Sequence, residues 1–399
     1  MNQNETAQQQ RGALSNIRVL DFTQMMLGPY ATQTLADFGA DVIKVERPGE
    51  GEWERGLEFM GELVGQDSAA FLAMNRNKRS LTVDLKDPAV IDALLEIGES
   101  CDVVVENFRP GVMERLGLGY ERFRARNPKI VYASGSGWGQ DTEWARQNRP
   151  GQDLLIQAAS GLAYNTGKAD DAPTPLGSSL CDATTAQSLT IGILTALIAR
   201  EHLGIGQRVE VDLFSTAMAM QCQEISAMVN LSNGKQTSRS SAGVGGPWLD
   251  APFGIYETTD GYVAIAMASL ETIGELLSLP ELAGLDPWEE RDQAKKIMDV
   301  AMLTRTSAAW LELLLPAGIW AAPVRTNMEA VQEMRDADSN MIVTVEHPTA
   351  GPVELIGCPI TLSETGWSQR LRPPLVGEHS YEVLTEFLGS ERAALLLES

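Results

Sequence analysis

Short β-rich runs at 17–23, 41–46, 81–84, 103–106 and 130–133 alternate with stretches of helical periodicity at 30–38, 88–98 and 111–126. This alternation narrows the available folds more than any other feature of the chain. Gly28-Pro29 closes the first run, Gly39 stops the helix that follows, and Arg47-Pro48-Gly49 ends the second run. Together they span about 30 residues, the size of one β-α-β unit. Parallel strands joined in this way need a crossover helix, so the pattern predicts an open, Rossmann-like parallel α/β sheet. Ligands of such sheets gather at the carboxyl ends of the strands.

At 399 residues the chain exceeds one ordinary core. The expected division is a large α/β domain at 13–213, a linker at 214–239, a smaller α/β domain at 240–335, and a linker with a C-terminal segment at 336–399. Within the smaller domain, residues 254–266 read as a hairpin around Thr258-Thr-Asp-Gly261, 269–317 as mostly helical, and 320–324 as another strand. The first part of the linker, 218–233, reads as a long connecting helix. From Val343 the pattern returns to short strands and ends in a helix at 381–388. A hydrophobic content of 44% with 36 Gly and 19 Pro is globular. Disorder is therefore expected only in the polar tail at 1–12. No apolar run reads as long enough for a bilayer, and the first residues lack a signal-peptide pattern, so a soluble, cytoplasmic protein is expected.

The net charge of −23 argues against nucleic acid and anionic membrane as partners. It is unevenly spread: residues 1–130 hold 15 Lys/Arg against 20 Asp/Glu, and the remainder holds 16 against 34. An anionic ligand would therefore favour the first third. Cysteines 101, 181, 222 and 358 show neither metal-ligand spacing nor a disulfide framework, so no metal site is expected. Cys181 reads as a buried, inert thiol.

A Pro/Gly/Ser loop, Pro175-Leu-Gly-Ser-Ser-Leu-Cys-Asp182, opens into a helix on which Leu189, Ile193, Leu194, Leu197 and Ile198 recur at helical spacing. That puts Asp182 where an N-cap belongs, and capping is one reading of it. Asp153, in Pro150-Gly-Gln-Asp153, falls in the first turn of another helix, where a carboxylate offsets the helix dipole. Ser134-Gly-Ser-Gly-Trp-Gly139 has neither the spacing of a dinucleotide fingerprint nor the form of a nucleophile elbow. It reads as a turn that lets backbone approach a ligand.

Several longer motifs carry a family resemblance. They are Asp21-Phe-Thr…Gly28-Pro…Leu35-Ala-Asp-Phe-Gly-Ala-Asp-Val-Ile-Lys-Val-Glu46, Asn75-Arg-Asn-Lys-Arg-Ser-Leu-Thr-Val-Asp-Leu-Lys86, Glu106-Asn-Phe-Arg-Pro-Gly-Val-Met-Glu-Arg-Leu-Gly117 and the stretch around Asp182. With them, residues 17 to about 388 resemble the family III (formyl-CoA/carnitine-CoA type) CoA-transferases. The resemblance implies that Asp182 is a nucleophile with Asp153 as a second acidic residue beside it. It also implies that Arg47, Val83, Lys86, Asn107, Phe108, Arg109 and Arg115 line the CoA nucleotide site, with Gln152 belonging to the same site. Guanidinium and ammonium groups suit phosphates, and Phe108 or an Arg plane can stack on adenine. Met26 and the loop containing Gly243, Gly245 and Gly246 would face the substrate, the loop as a source of oxyanion donors. The resemblance further implies a C-terminal segment that returns to the first domain and two ring-shaped subunits interlocked as a homodimer. His379, in Pro373-Pro-Leu-Val-Gly-Glu-His379, reads as structural.

Acyl-CoA would be a substrate, and no tightly bound cofactor is expected. A carboxylate held against the bound thioester would carry CoA between acids through an aspartyl-acyl anhydride and an aspartyl-CoA thioester, its ionisation supported by the helix N-terminus. Three other readings stand beside this one. An acyl-CoA racemase of the same fold is disfavoured by Gln152, because related racemases carry Gly-His-Asp where this chain has Gly151-Gln152-Asp153, and Gln neither gives nor takes a proton. A non-catalytic CoA-binding protein would use Asp182 only as a cap. A nicotinamide dehydrogenase rests on fold analogy alone. The formyl/oxalate enzymes of the family carry Gln where this chain has Met26, and a richer Gly loop than Ser241-Ala-Gly-Val-Gly-Gly246, so an acid less polar than oxalate is expected as acceptor.

Overall fold

The structure, a computed structural model, describes residues 12–231, 236–337 and 339–398. The tail at 1–11 and residues 232–235 of the connecting segment, both subjects of expectations above, lie outside the described residues. The chain divides into two compact units. One comprises the described parts of Met1–Ile156, Ser179–Ala217 and Asp338–Ser399, and the other comprises those of Gln157–Ser178 and Met218–Ala337.

The first unit is built on six parallel strands, β1 (Arg18–Asp21), β2 (Asp41–Glu46), β3 (Lys78–Thr82), β4 (Val103–Glu106), β5 (Val131–Ser136) and β6 (Gln207–Asp212). Their order in the sheet is 3-2-1-4-5-6. The chain therefore winds outward from β1 to β3, returns, and starts again at β4. The crevice between the carboxyl ends of β1 and β4 is the switch point where sheets of this type bind ligands.

Leu20, Ile43, Leu81, Val104 and Tyr132 bury one face of the sheet under the Pro88–Glu99 helix. Asp87 caps that helix and Pro88 opens it, which is where Pro costs no hydrogen bond. The same core takes Val383, Leu384 and Leu396 from two C-terminal helices, Ser380–Leu388 and Ser390–Glu398. His379 accepts the Ser80 N–H at Nδ1 (3.3 Å) and donates its own N–H to Ser80 O (3.0 Å), so it joins the C-terminal segment to β3. A hairpin of β10 (Ile342–His347) and β11 (Gly351–Ile356) packs Val345, Val353 and Leu355 on Phe71 and Leu72.

Several expectations need correction. The helix expected at 111–126 is two, Val112–Leu116 and Tyr120–Arg126, because Gly117 takes φ +78° between them. The strand expected from Leu81 starts at Lys78, since buried Lys78 and Ser80 find polar partners inside the protein. The helix expected to follow Asp182 starts earlier and runs Leu180–Leu203, with Ser179 as its N-cap residue. Asp182 is thus not the N-cap but stands inside the first turn. By length and a mean hydropathy of 1.2 alone this helix would be long and apolar enough to span a bilayer, a test that the core helix of a soluble protein also passes. It lies against the Leu27–Asp37 helix, β5 and β6, with Leu189, Ile193, Ala196 and Leu197 buried there.

The second unit holds an antiparallel sheet of β7 (Gly254–Glu257), β8 (Tyr262–Ala266) and β9 (Trp320–Pro323). Tyr256, Val263 and Ile265 pack there against Ile273, Met298 and Trp310 of three helices. The connecting helix expected at 218–233 is two helices, Leu213–Met220 and Cys222–Leu231, parted at Gln221.

Candidate active site

A buried ionic network surrounds β1, β2 and β3, from the carboxyl ends of β1 and β2 to the residues that precede β2 and open β3. Asp21, fully buried, accepts from the Thr23 hydroxyl (2.5 Å), the Thr32 hydroxyl (2.6 Å) and Lys78 Nζ (3.2 Å). Lys44 pairs with Glu52 at 2.8 Å. Arg55 binds Glu46 through Nε (2.6 Å) and a terminal nitrogen (2.8 Å), and reaches Asp67 at 2.8 Å. Arg76 binds both oxygens of Asp37 (2.9 and 2.6 Å). Burial opposes ionisation of Asp21 and Glu46, yet the adjoining cations and hydroxyls outweigh it and hold both below the ordinary carboxylate range. Much of the long N-terminal motifs is thus scaffold, and it shapes the loop after β1. Glu52 holds the N–H of Met25 (2.8 Å), which takes φ +62° next to half-buried Met26.

Asp182 differs from these groups. Its side chain is half-buried, and among the described residues it has neither a cation nor a hydrogen-bond donor. Asp153, buried and first in the Asp153–Ala159 helix, accepts the Asp182 backbone N–H on Oδ1 at 3.1 Å. Burial, and then the Asp153 charge, push Asp182 up to about 7. These effects outweigh the helix N-terminus that was expected to favour its ionisation. Cys181 is buried beside them with its thiol pushed up to about 12, first by burial and then by both aspartates, so it is inert at neutral pH.

The Gly137 turn sets Asp153 in place. A Cβ at Gly137 would lie 2.4 Å from Gly151 Cα, so the two glycines let backbone meet backbone two residues before Asp153. The close approach expected of this turn is therefore made to the protein itself. Trp138 Nε1 donates to Pro150 O (3.1 Å) and fastens the same junction.

The other candidates are dispersed along the strand ends. Val83 is buried, and its N–H bonds Glu46 O (3.0 Å). Asn107 accepts the Gln24 N–H (2.8 Å) and donates to Gln24 O (2.7 Å), so it clamps the switch point shut at the backbone. Phe108 packs on the core. Arg47 is exposed and occupied by Gly51 O (2.9 Å) and Glu50 (2.6 Å). Lys86, Arg109 and Arg115 are exposed, with no ion pair among the described residues. Gln152 accepts the Leu154 N–H on its side-chain oxygen (3.0 Å), the work of a helix cap.

Gly243, Gly245 and Gly246 belong to the second unit, where they line a cavity of about 580 Å³ with Lys168, Arg239 and Trp248. The Ser240 hydroxyl accepts the N–H groups of Ala242 (3.2 Å), Gly243 (2.9 Å) and Val244 (2.9 Å), and the Gly245 N–H bonds Phe253 O (2.9 Å). Gly243 and Gly245 therefore have no free N–H to offer an oxyanion, contrary to expectation. Both have structural reasons to be glycine: Gly243 takes φ +89°, and a Cβ on Gly245 would sit 2.6 Å from the Phe253 ring.

The family model of CoA-transferase family III matches residues 14–380. The chain belongs to that family. It is 36% identical, over 94% of its length and 96% of the relative's, to the succinyl-CoA:mesaconate CoA-transferase of Haloarcula hispanica. It is 33% identical to the formyl-CoA:oxalate CoA-transferase of Bradyrhizobium diazoefficiens, over 94% of each chain. A CaiB/BaiF family protein from Brucella suis has a crystal structure that superposes with a TM-score of 0.78 at 29% identity, covering 95% of this chain and 100% of that one. The protein is a CoA-transferase, and such enzymes take CoA thioesters as substrates.

In this transferase one residue near Asp182 escaped sequence reasoning. Glu54, in the short helix Trp53–Gly56, is buried, and the charge of Asp182 acts on it. Its only sequence signal is one more acid in Glu50-Gly-Glu-Trp-Glu54, which reads as a polar turn.

Proposed function

We propose that the enzyme moves CoA from an acyl-CoA donor to a carboxylic acid acceptor through covalent intermediates on Asp182. One observation carries this reading: alone among these buried or half-buried aspartates, Asp182 combines a first-turn position with no cation and no donor hydrogen bond to its carboxylate. A pKa of about 7 leaves a large ionised fraction at neutral pH while the carboxylate stays poorly solvated and nucleophilic.

Asp182 attacks the acyl-CoA carbonyl, and the C–S bond breaks to give an aspartyl-acyl anhydride and CoA thiolate. The thiolate attacks the aspartyl carbonyl and releases the donor acid, which leaves with the bridging oxygen. The acceptor carboxylate then attacks the aspartyl-CoA thioester, and returning thiolate takes the acceptor's acyl group and leaves the new bridging oxygen on Asp182. A thioester replaces a thioester, so the barrier is kinetic, and holding the reactants together lowers it. Lys86, Arg109 and Arg115 supply cations for the CoA phosphates beside the switch point. Met26 faces the acyl group, in favour of an acid less polar than oxalate. We take the working form to be an interlocked homodimer in the cytoplasm. Exposed Ile191, Ile198 and Leu203 on the long helix suit burial against a second copy.

The test is oxygen transfer. With an acceptor labelled with ¹⁸O in its carboxylate, label appears first in Asp182 and, over further turnovers, in the released donor acid. Label that enters the donor acid on the first turnover, with none in Asp182, contradicts the covalent route.

A further inference from the structure

Burial and pairing single out Glu54 from the carboxylates around it. It is 3% exposed, and its Oε2 has no hydrogen-bond partner among the described residues. The cations nearby are all taken. Lys44 is held by Glu52 and Thr23 O, Lys78 by Asp21, Thr32, Asn75 and Pro29 O, and Arg55 by Glu46, Asp67 and Pro374 O. Three cations thus face four partnered carboxylates, and Glu54 is a fifth acid with none. An isolated buried carboxylate is costly enough that such a group keeps its proton. The groups whose charges reach Glu54 are Glu52 and Lys44, Lys78, and Asp182 on the long helix, which is itself faced by Asp153.

We propose that Glu54 is a positioning residue for Asp182, a buried carboxyl that carries a proton whenever Asp182 is ionised, so that the nucleophile's surroundings hold one negative charge between the two groups. The inference rests on Asp182 as nucleophile. Burial first, then the charges of Glu52 and Asp182, push Glu54 up to about 8, while Asp182 stands at about 7. Asp182 therefore ionises first, and its charge helps keep the proton on Glu54. Glu54 does not touch substrate. Its neutrality spares the acceptor carboxylate, and the oxyanion formed on attack, a second negative charge. Once Glu54 ionises, that charge opposes both, and exchange acquires an alkaline limit.

The experiment compares wild type with Glu54→Gln across pH, using an acyl-CoA donor and a carboxylic acid acceptor. In wild type, kcat/KM for the acceptor rises through about pH 7 and falls about tenfold or more between about pH 7.5 and about pH 9.5. In Glu54→Gln the rise remains and the fall is lost. A fall that persists assigns the alkaline limit to another group, such as Lys78, which burial lowers to about 8, and overturns the inference. Thermal stability gives a reading independent of turnover. A raised folded-state pKa contributes stability that is fully present below the unfolded value and lost as pH rises through the folded value. The Tm of Glu54→Gln minus that of wild type must therefore grow from the ordinary carboxylate range up to about pH 8 and level off above it. A pH-independent difference overturns the inference. A CoA adduct trapped on Asp182 in wild type separates the two claims: without the adduct the nucleophile reading fails, and with the adduct but an unchanged profile in Glu54→Gln only the role of Glu54 fails.

Discussion

Two sets of buried carboxylates in the first unit are made from the same chemistry and behave in opposite ways. Asp21 and Glu46 lie in contact with Lys78 and Arg55, and despite burial they remain strong acids. Asp182 and Glu54 have no cation in contact, and burial together with neighbouring acids raises them to about 7 and about 8. Pairing makes scaffold of a buried carboxylate whether the cation outweighs burial, as at Asp21 and Glu46, or burial outweighs the cation, as at Asp37 beside Arg76 and Glu52 beside Lys44, both raised. Without a pair the group is left available for chemistry, at a cost in stability. The motifs with the most charged residues therefore fall mainly on the first set, and the proposed nucleophile on the second.

Substitutions can break this contrast from either side. The largest effect is expected at Asp182: Asp182→Asn lowers exchange by about three orders of magnitude or more, while CoA binding is retained and Tm does not fall, since the substitution removes a carboxylate that burial raises to about 7. Steady-state assays with binding calorimetry check it, and near-normal turnover would remove Asp182 from the mechanism. In the paired set the outcome reverses. Arg76→Ala leaves Asp37 buried without its guanidinium and costs roughly 3–5 kcal/mol of stability. Denaturant melts read this, and a loss below about 1 kcal/mol would show that the pair is not what keeps Asp37 inside.

A finer effect concerns Asp153. Asp153→Asn removes one of the two causes that raise Asp182, burial being the larger, and its side-chain oxygen can still accept the Asp182 N–H. The ascending limb of kcat/KM should move to lower pH, with a gain of a few-fold in relative rate at the acid end. An unmoved limb would assign that ionisation to another group. The smallest expected signal is a null one. Gln152, beside Asp153 in the chain, is an amide that caps a helix and neither gives nor takes a proton, which disfavours proton exchange on both faces of a substrate carbon. A 2-methylacyl-CoA should keep its α-proton in deuterated water, as read by mass spectrometry, and rapid washout would make the enzyme a racemase. Gln152→His would introduce at most slow exchange.

Legibility of the fold followed the side chains each element buries. β2 and β4 coincide with the predicted runs because Val42-Ile43 and Val103-Val-Val105 form plain apolar runs. The start of β3 was hidden because Lys78, which reads as a surface charge, is fully buried and meets four polar partners. The start of the long helix was placed three residues late, with Asp182 as its cap, because Asp182, Thr184, Thr185 and Gln187 dilute its apolar pattern. One signal was present and unused: Thr326 and Glu329 form a capping box that opens the Asn327–Asp336 helix. At the site, Asp182 and Asp153 were legible as acids at helix starts, and the structure joins them through one hydrogen bond. Glu54 was not legible, since nothing in a local sequence distinguishes a solvated glutamate from one enclosed among three pairs formed by residues as far away as Asp21. Gly243 and Gly245 misled for a related reason, because the groups that take up their N–H, the Ser240 hydroxyl and the Phe253 carbonyl, lie outside the motif.

The central claim is that an unpaired carboxylate carries the acyl and CoA groups, and peptide mass spectrometry of the protein mixed with acyl-CoA alone tests it most directly. After a hydroxylamine or borohydride quench, the account predicts modification confined to the peptide containing Asp182, absent from Asp182→Asn, and absent when acyl-CoA is replaced by free CoA. Modification at Asp153, at Glu54 or at Cys181 in place of Asp182, or full turnover with no trapped adduct at any carboxylate, would contradict it.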